Sequence, residues 1–146
     1  SLSHAWERNT LSLAGTYAEH RYDFTRSATG REEIKDGNLV DTAPRWLANA
    51  RWQFFFSDQI DSEFEVNYNG KHYIDAANTA EYDGHVVVNW RGRYTINDST
   101  AVFARVINLL DEEYADRADY TLFNPDRYRY FPAMPRQLYV GITLDF

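Results

Sequence analysis

The sequence predicts an all-β chain, an antiparallel up-and-down meander of about six strands. Three observations lead there. Apolar and polar residues alternate with period two over six segments; the connections between segments switch between very short turns and long polar loops; and no segment carries a 3.6-residue apolar stripe. A turn of two or three residues joins only antiparallel neighbours, so consecutive segments pair side by side.

In residues 9–24 Leu11, Leu13, Gly15 and Tyr17 share one face, with Ser12, Ala14, Thr16, Ala18 and His20 on the other, and a Gly/Asp-rich loop follows through Thr42. Residues 44–56 set Trp46, Ala48, Ala50, Trp52, Phe54 and Phe56 against Arg45, Asn49, Arg51 and Gln53, with Leu47 and Phe55 as exceptions on the polar side. Ser57, Asp58 and Gln59 make a tight turn into a third segment, where Ile60, Phe64, Val66 and Tyr68 oppose Asp61, Glu63, Glu65, Asn67 and Asn69. After a polar loop, the fourth sets Val86, Val88, Trp90, Tyr94 and Ile96 against His85, Asn89, Arg91, Arg93 and Thr95. Asn97, Asp98 and Ser99 turn the chain into residues 100–110, with Val102, Ala104 and Val106 opposite Phe103, Arg105 and Ile107. A loop of about 25 residues leads to the sixth segment, residues 136–146, where Leu138, Val140, Ile142, Leu144 and Phe146 alternate with Tyr139, Gly141, Thr143 and Asp145.

Composition narrows the classes. A chain of 146 residues with no shift in composition reads as one structural unit, residues 1–146. There is no apolar run of about 18 residues, so nothing spans a membrane as a helix, and no signal peptide is visible. A barrel strand needs only about 9–11 alternating residues, so a membrane is still open. The absence of cysteine removes disulfides, thiolate nucleophiles and zinc-thiolate sites. A net charge of −7 without any Lys/Arg run speaks against nucleic acid as a partner. No glycine-rich phosphate loop, nucleophile elbow or zinc-protease helix occurs, so the chain is read as a non-enzyme without cofactor or resident metal.

In a soluble sandwich the apolar face packs on a second sheet, whereas in an outer-membrane barrel it meets lipid while the polar face lines the interior. With the short turns and a loop centre at Asn78 as guides to register, Arg51, Glu65, Arg91 and Arg105 fall side by side across four strands, with Glu63 and Arg93 as a second rung. Opposite charges across strands suit a wet, crowded lumen; a solvated sheet face is the plainer alternative. Aromatics gather at segment ends, Trp46, Tyr68 and Tyr82 near the long loops and Phe54, Phe56, Tyr94 and Phe146 near the short turns, as two interfacial belts would require. The expectation is a segment of a transmembrane β-barrel. Short turns at 57–59 and 97–99 are then periplasmic, and loops at 25–43, 75–81 and 111–135 extracellular.

Asn108-Leu109-Leu110-Asp111-Glu112-Glu113-Tyr114 resembles the N-L-F-D-x-x-Y signature of TonB-dependent receptors, with Leu110 for the usual Phe. Pro132-Ala133-Met134-Pro135-Arg136 is similar to the P-G-R-P-R element before their final strand, Ala133 and Met134 departing from it. Leu138, Val140, Ile142, Leu144 and Phe146 look like the C-terminal outer-membrane assembly signal. Residues 37–50, with Pro44 ahead of a strand, and residues 82–88 resemble two further family segments.

The resemblance implies a 22-stranded barrel closed by an N-terminal plug and driven by a TonB-type energy-coupling protein, with the barrel-assembly machinery reading the C-terminal strand. The chain is then expected to be the C-terminal portion of such a receptor in the Gram-negative outer membrane, plug and earlier strands absent. The expected role is import of a scarce nutrient, a small-molecule metal chelate such as a ferric siderophore. Arg117, Tyr120, Phe123, Arg127, Tyr128, Arg129 and Tyr130 mix cations with aromatics, as an anionic or catechol-like chelate would need; an aromatic loop packing on itself is the alternative. His72, with Tyr73 and Tyr82 nearby, could touch a metal or haem, though a lone His is more often a polar surface residue. Asp61, Glu63 and Glu65 could form an acid pair or calcium site, or pair structurally with Arg91 and Arg93. A porin-type or enzyme barrel, and a soluble lipocalin-like binding module, remain the rival readings.

Overall fold

The computed structural model describes residues 1–27, 33–121 and 128–145. Eleven strands are present in them: β1 (Leu2–Trp6), β2 (Asn9–Tyr17), β3 (Trp46–Phe55), β4 (Ile60–Asn69), β5 (His72–Tyr73), β6 (Glu81–Tyr82), β7 (His85–Asn97), β8 (Thr100–Ile107), β9 (Ala115–Tyr120), β10 (Tyr128–Pro132) and β11 (Gln137–Leu144). Seven form one open antiparallel sheet in the order β1-β2-β3-β4-β7-β8-β11, with β1 and β11 at its edges. The hairpins β5/β6 and β9/β10 stand apart from it within two long connections. All six alternating segments contribute strands to the large sheet, the first only as far as Tyr17: residues 18–24, expected to continue it, belong to the long connection. The seventh, β1, escapes sequence reading because it is five residues long and runs into a turn at Glu7, whose φ is 46°.

The turns follow from side-chain chemistry. At the β3/β4 turn the Ser57 hydroxyl accepts hydrogen bonds from the amides of Gln59 (3.2 Å) and Ile60 (3.1 Å), and at the β7/β8 turn Asn97 Oδ1 accepts from the Ser99 amide at 3.0 Å. The three short turns, at 7–8, 56–59 and 98–99, lie at one end of the sheet. The three long connections, at 18–45, 70–84 and 108–136, lie at the other.

Register joins the apolar residues into one continuous face. Leu13, Ala50, Val66 and Val88 are successive partners across β2, β3, β4 and β7; Leu11, Trp52, Phe64, Trp90, Val106 and Leu138 make a longer row reaching β11. Among the described residues nothing packs over this face: Leu138, Val140, Ile142 and Leu144 are exposed, Val140 by 74%. Two indole groups on it have partners. Trp90 Nε1 donates to Ser62 Oγ (2.8 Å), and Trp52 Nε1 to Asn9 Oδ1 (3.0 Å). Aromatics border the face at both ends, Tyr17 against Trp46 near the long connections and Phe54 against Phe56 near the short turns. Trp46 and Phe54 are eight residues apart, about 27 Å along a strand and about 20 Å in height at the usual barrel tilt, close to an outer-membrane apolar band.

Tyr82 corrects the expected upper belt. Its phenol reaches His85 Nδ1 at 3.1 Å, and its ring packs 5.4 Å from His72, because the chain between β4 and β7 continues as the β5/β6 hairpin and carries Tyr82 off the apolar row.

Candidate functional site

On the polar face the structure pairs Arg51 with Glu65 across β3/β4, the guanidinium Nε lying 3.3 Å from the carboxylate, and aligns Arg91 with Arg105 across β7/β8. Between β4 and β7 the expected register is corrected by two residues. Glu65 faces Asn89, Glu63 faces Arg91 and Asp61 faces Arg93. The cause is the hairpin centre: His72↔Tyr82 and Tyr73↔Glu81 continue the Asn69↔His85 register about residue 77, not Asn78. Moving a fold point by one residue slides the partner strand by two, and an even slip leaves every side chain on its expected face.

The corrected register satisfies the charges differently. Arg91 reaches Glu63 at 2.7 Å. Glu65 becomes a hub that accepts from Asn49 Nδ2 (3.0 Å) and Asn89 Nδ2 (3.1 Å) beside Arg51. Arg105, with arginine opposite, lays its guanidinium 4.4 Å from the ring centre of Tyr139, a cation-π contact in place of an ion pair. Arg93 meets Phe103 on its other side. That ring lies directly over Gly141 on β11, where any Cβ would collide with it. Asn49, Asn67 and Asn89, which the sequence places on the polar face but does not mark as part of the charge network, supply the neutral hydrogen bonds between the charges; amides alternating with carboxylates on one strand face are the available signal.

At the loop end, β9/β10 divides the candidate ligand residues between two faces. Arg117 and Arg129 lie on one, where both clamp buried Asp119: Arg117 Nη2 at 2.6 Å, Arg129 through Nε and Nη2 at 2.9 and 3.1 Å. Both guanidiniums also approach the Phe131 ring. Tyr120, Tyr128 and Tyr130 alternate to the other face, Tyr120 paired with Tyr128. Arg127, Phe123 and Phe146 lie outside the described residues. Asp119, two residues from Arg117 and hence on its strand face, was the missed partner. His72 has its Nδ1 3.3 Å from the Gly70 carbonyl and its ring against Tyr82, and Tyr73 lies opposite Glu81. No group of three or more metal-ligating side chains converges among the described residues.

The motif residues meet in space. Asn108, buried and left-handed at φ 54°, donates from Nδ2 to the Glu112 carbonyl and accepts the Glu112 amide on Oδ1, each at 2.9 Å. Its own amide donates to Asn89 Oδ1 at 3.0 Å, tying the turn to the Glu65 hub. The Leu109 amide donates to the Val88 carbonyl, and the Leu109 carbonyl accepts from Arg136 Nη1. Asp111 Oδ1 accepts the Arg136 amide at 2.8 Å, and the Tyr114 carbonyl accepts the Ala133 amide at 2.9 Å. The two sequence motifs, about twenty residues apart, are thus the two sides of one junction, with Pro132 ending β10 and Pro135 leading into β11. The Tyr114 ring packs 4.2 Å from His85; burial first, then the nearby Asp116 and Tyr82, push its phenol pKa upward. Leu138, Val140, Ile142 and Leu144 all project from the outward face of edge strand β11.

A family model described as TonB dependent receptor-like, beta-barrel matches residues 1–109. The vitamin B12 transporter BtuB of Photobacterium profundum is 29% identical over 75 residues, covering 51% of this chain and 12% of that protein. Two solved structures share the fold. The siderophore receptor PiuA from Acinetobacter baumannii superposes with a TM-score of 0.77 at 19% identity, over 95% of this chain and 20% of that one. The ferric yersiniabactin uptake receptor FyuA from Yersinia pestis gives 0.76 at 19% identity, over 95% and 21%. The chain therefore spans about a fifth of the length of these receptors. The matched residues carry β1 through β8, the greater part of a sheet whose bare face is apolar and whose other face holds the charge network: the chain belongs to the TonB-dependent receptor β-barrel family, outer-membrane proteins of Gram-negative bacteria.

Proposed function

We propose that residues 1–146 are the C-terminal portion of a receptor that actively imports a scarce nutrient across the outer membrane, with a ferric siderophore or related iron chelate as cargo. The observation that carries this reading is the inversion of the large sheet: a continuous apolar face left bare across seven strands, backed by a face of ion pairs and amides. Such a wall belongs between hydrocarbon and a watery interior. Its two free edges require the rest of a closed barrel, since lipid cannot satisfy unpaired backbone groups. In the whole receptor a plug fills the interior, with the charged face of β3, β4, β7 and β8 against it. A TonB-type protein supplies energy through the N-terminal part, and the barrel-assembly machinery engages β11. The long connections face outward, where Tyr120, Tyr128 and Tyr130 offer aromatic surface to the chelate.

The siderophore assignment draws support from the descriptions of PiuA and FyuA as siderophore and ferric yersiniabactin receptors. A corrinoid cargo is the second reading, favoured by the sequence likeness to a vitamin B12 transporter and by Asp119 already holding Arg117 and Arg129, the cations an anionic chelate would seek. Growth of a deletion strain decides between them. Loss of growth on ferric chelates under iron limitation, reversed by the full-length gene, supports the siderophore reading. Loss confined to growth on limiting vitamin B12 supports the corrinoid, and unchanged growth on every iron and corrinoid source rejects both.

A further inference from the structure

The three long connections are tied to one another, and Asn78 stands at their junction. Its Oδ1 accepts the Leu39 amide at 2.8 Å and its Nδ2 donates to the Leu39 carbonyl at 2.9 Å, so one side chain pairs with a backbone residue as a neighbouring strand would. Asn38 Nδ2 donates to the Ala76 carbonyl at 2.9 Å, and the Thr42 amide to the Tyr73 carbonyl at 2.7 Å. Around this seam Ile74, Asp75 and Ala76 are buried; Asp75 binds the hydroxyl and amide of Thr79 and the Ala80 amide. The third connection joins through the Thr79 hydroxyl, 3.3 Å from that of Tyr128, and through the Tyr82 phenol, which accepts the Ala115 amide at 3.1 Å.

Backbone conformation marks the same place. Asn78 has φ 58° and Thr42 φ 57°, the latter a conformation that β-branched residues avoid. Residues so held persist only where surrounding contacts over-determine them.

We propose that residues 33–42, 70–84, 111–121 and 128–133 form one recognition body at the barrel mouth, with Asn78 as the positioning residue that registers its first two parts. This rests on the outward placement of the long connections proposed above and not on the identity of the cargo.

The test is amide hydrogen exchange of the full-length receptor in bilayers, read by mass spectrometry. N78G keeps a residue suited to positive φ while deleting the bridging amide; N78D keeps the acceptor for the Leu39 amide but loses the donor. Losing the hydrogen bonds to Leu39 raises exchange in residues 33–42 roughly tenfold in N78G; N78D, which turns a carboxylate oxygen onto the Leu39 carbonyl, raises it at least as far. If the loops are one body, exchange also rises several-fold in residues 115–120 and 128–132 while β3 and β4 stay as in the parent. Acceleration confined to one or two of the three loops, or none at all, overturns the proposal. Whole-cell labelling of an Asp83→Cys variant reports separately on whether these loops face outward.

Discussion

The sheet wall and the loop end of this chain obey opposite rules. In the loops the ordinary rule of water-soluble proteins holds: Ile34, Ile74, Ala76 and Ala118 are buried, and charged groups lie outside or, like Asp119, are clamped by partners. In the wall most of the large apolar residues point outward with nothing among the described residues over them, and the polar residues share the other face, with a few rings such as Phe103, in a hydrogen-bonded network. The same chain uses both because it meets two solvents. Where water surrounds it, apolar atoms withdraw; where hydrocarbon surrounds it, they are the only atoms that cost nothing to expose.

That contrast can be broken first in the wall. Val88→Arg puts a charge at mid-height of the outward face and is expected to destabilise the bilayer-embedded receptor by about 2–4 kcal/mol, measured by guanidinium unfolding from vesicles. At the loop end, Asn108→Ala strips both hydrogen bonds to Glu112 and leaves alanine in a left-handed conformation. A cost of about 2 kcal/mol is expected, visible as faster exchange in residues 108–114 with the wall unchanged. Ser62→Ala tests the outward face from the other side, since it removes the acceptor of the Trp90 indole and leaves a donor facing hydrocarbon. About 1–2 kcal/mol is expected in bilayers, and Ser62→Thr recovers most of it. The last test is on the inner face: Arg91→Val takes the ion pair from Glu63, which is buried, and is expected to cost about 1–2 kcal/mol, less than Val88→Arg.

How much of this the sequence discloses depends on period and distance. The alternation at Arg136 to Phe146 and at Pro44 to Phe56 assigns both strand and face, because a two-residue period has no other physical meaning over that length. Register is another matter. Arg51 falls opposite Glu65 because a short turn leaves no freedom, while Glu65 against Arg91 fails because the connection from 70 to 84 hides its own hairpin and shifts the fold point by one residue. The loop chemistry is least legible. Asp119 under two arginines, Asn78 against Leu39 and Tyr82 against His85 are contacts between residues whose positions depend on folds inside the loops, where no periodicity announces partners. The motif residues were visible as a pattern, and their reason was not: Asp111 and Arg136 meet only once β8 and β11 are neighbours.

The central claim, that one face of the sheet meets hydrocarbon and the other a watery interior, is tested most directly by spin labels. The chain holds no cysteine of its own, so labelled cysteines can be introduced one at a time at positions 86 to 91 of the full-length receptor in lipid vesicles. Labels replacing Val86, Val88 and Trp90 are expected to collide with oxygen dissolved in the bilayer. Those replacing Val87, Asn89 and Arg91 should be shielded from oxygen and relaxed by a water-soluble nickel chelate wherever it can enter. Accessibility without a two-residue period, or with the opposite phase, would contradict the account.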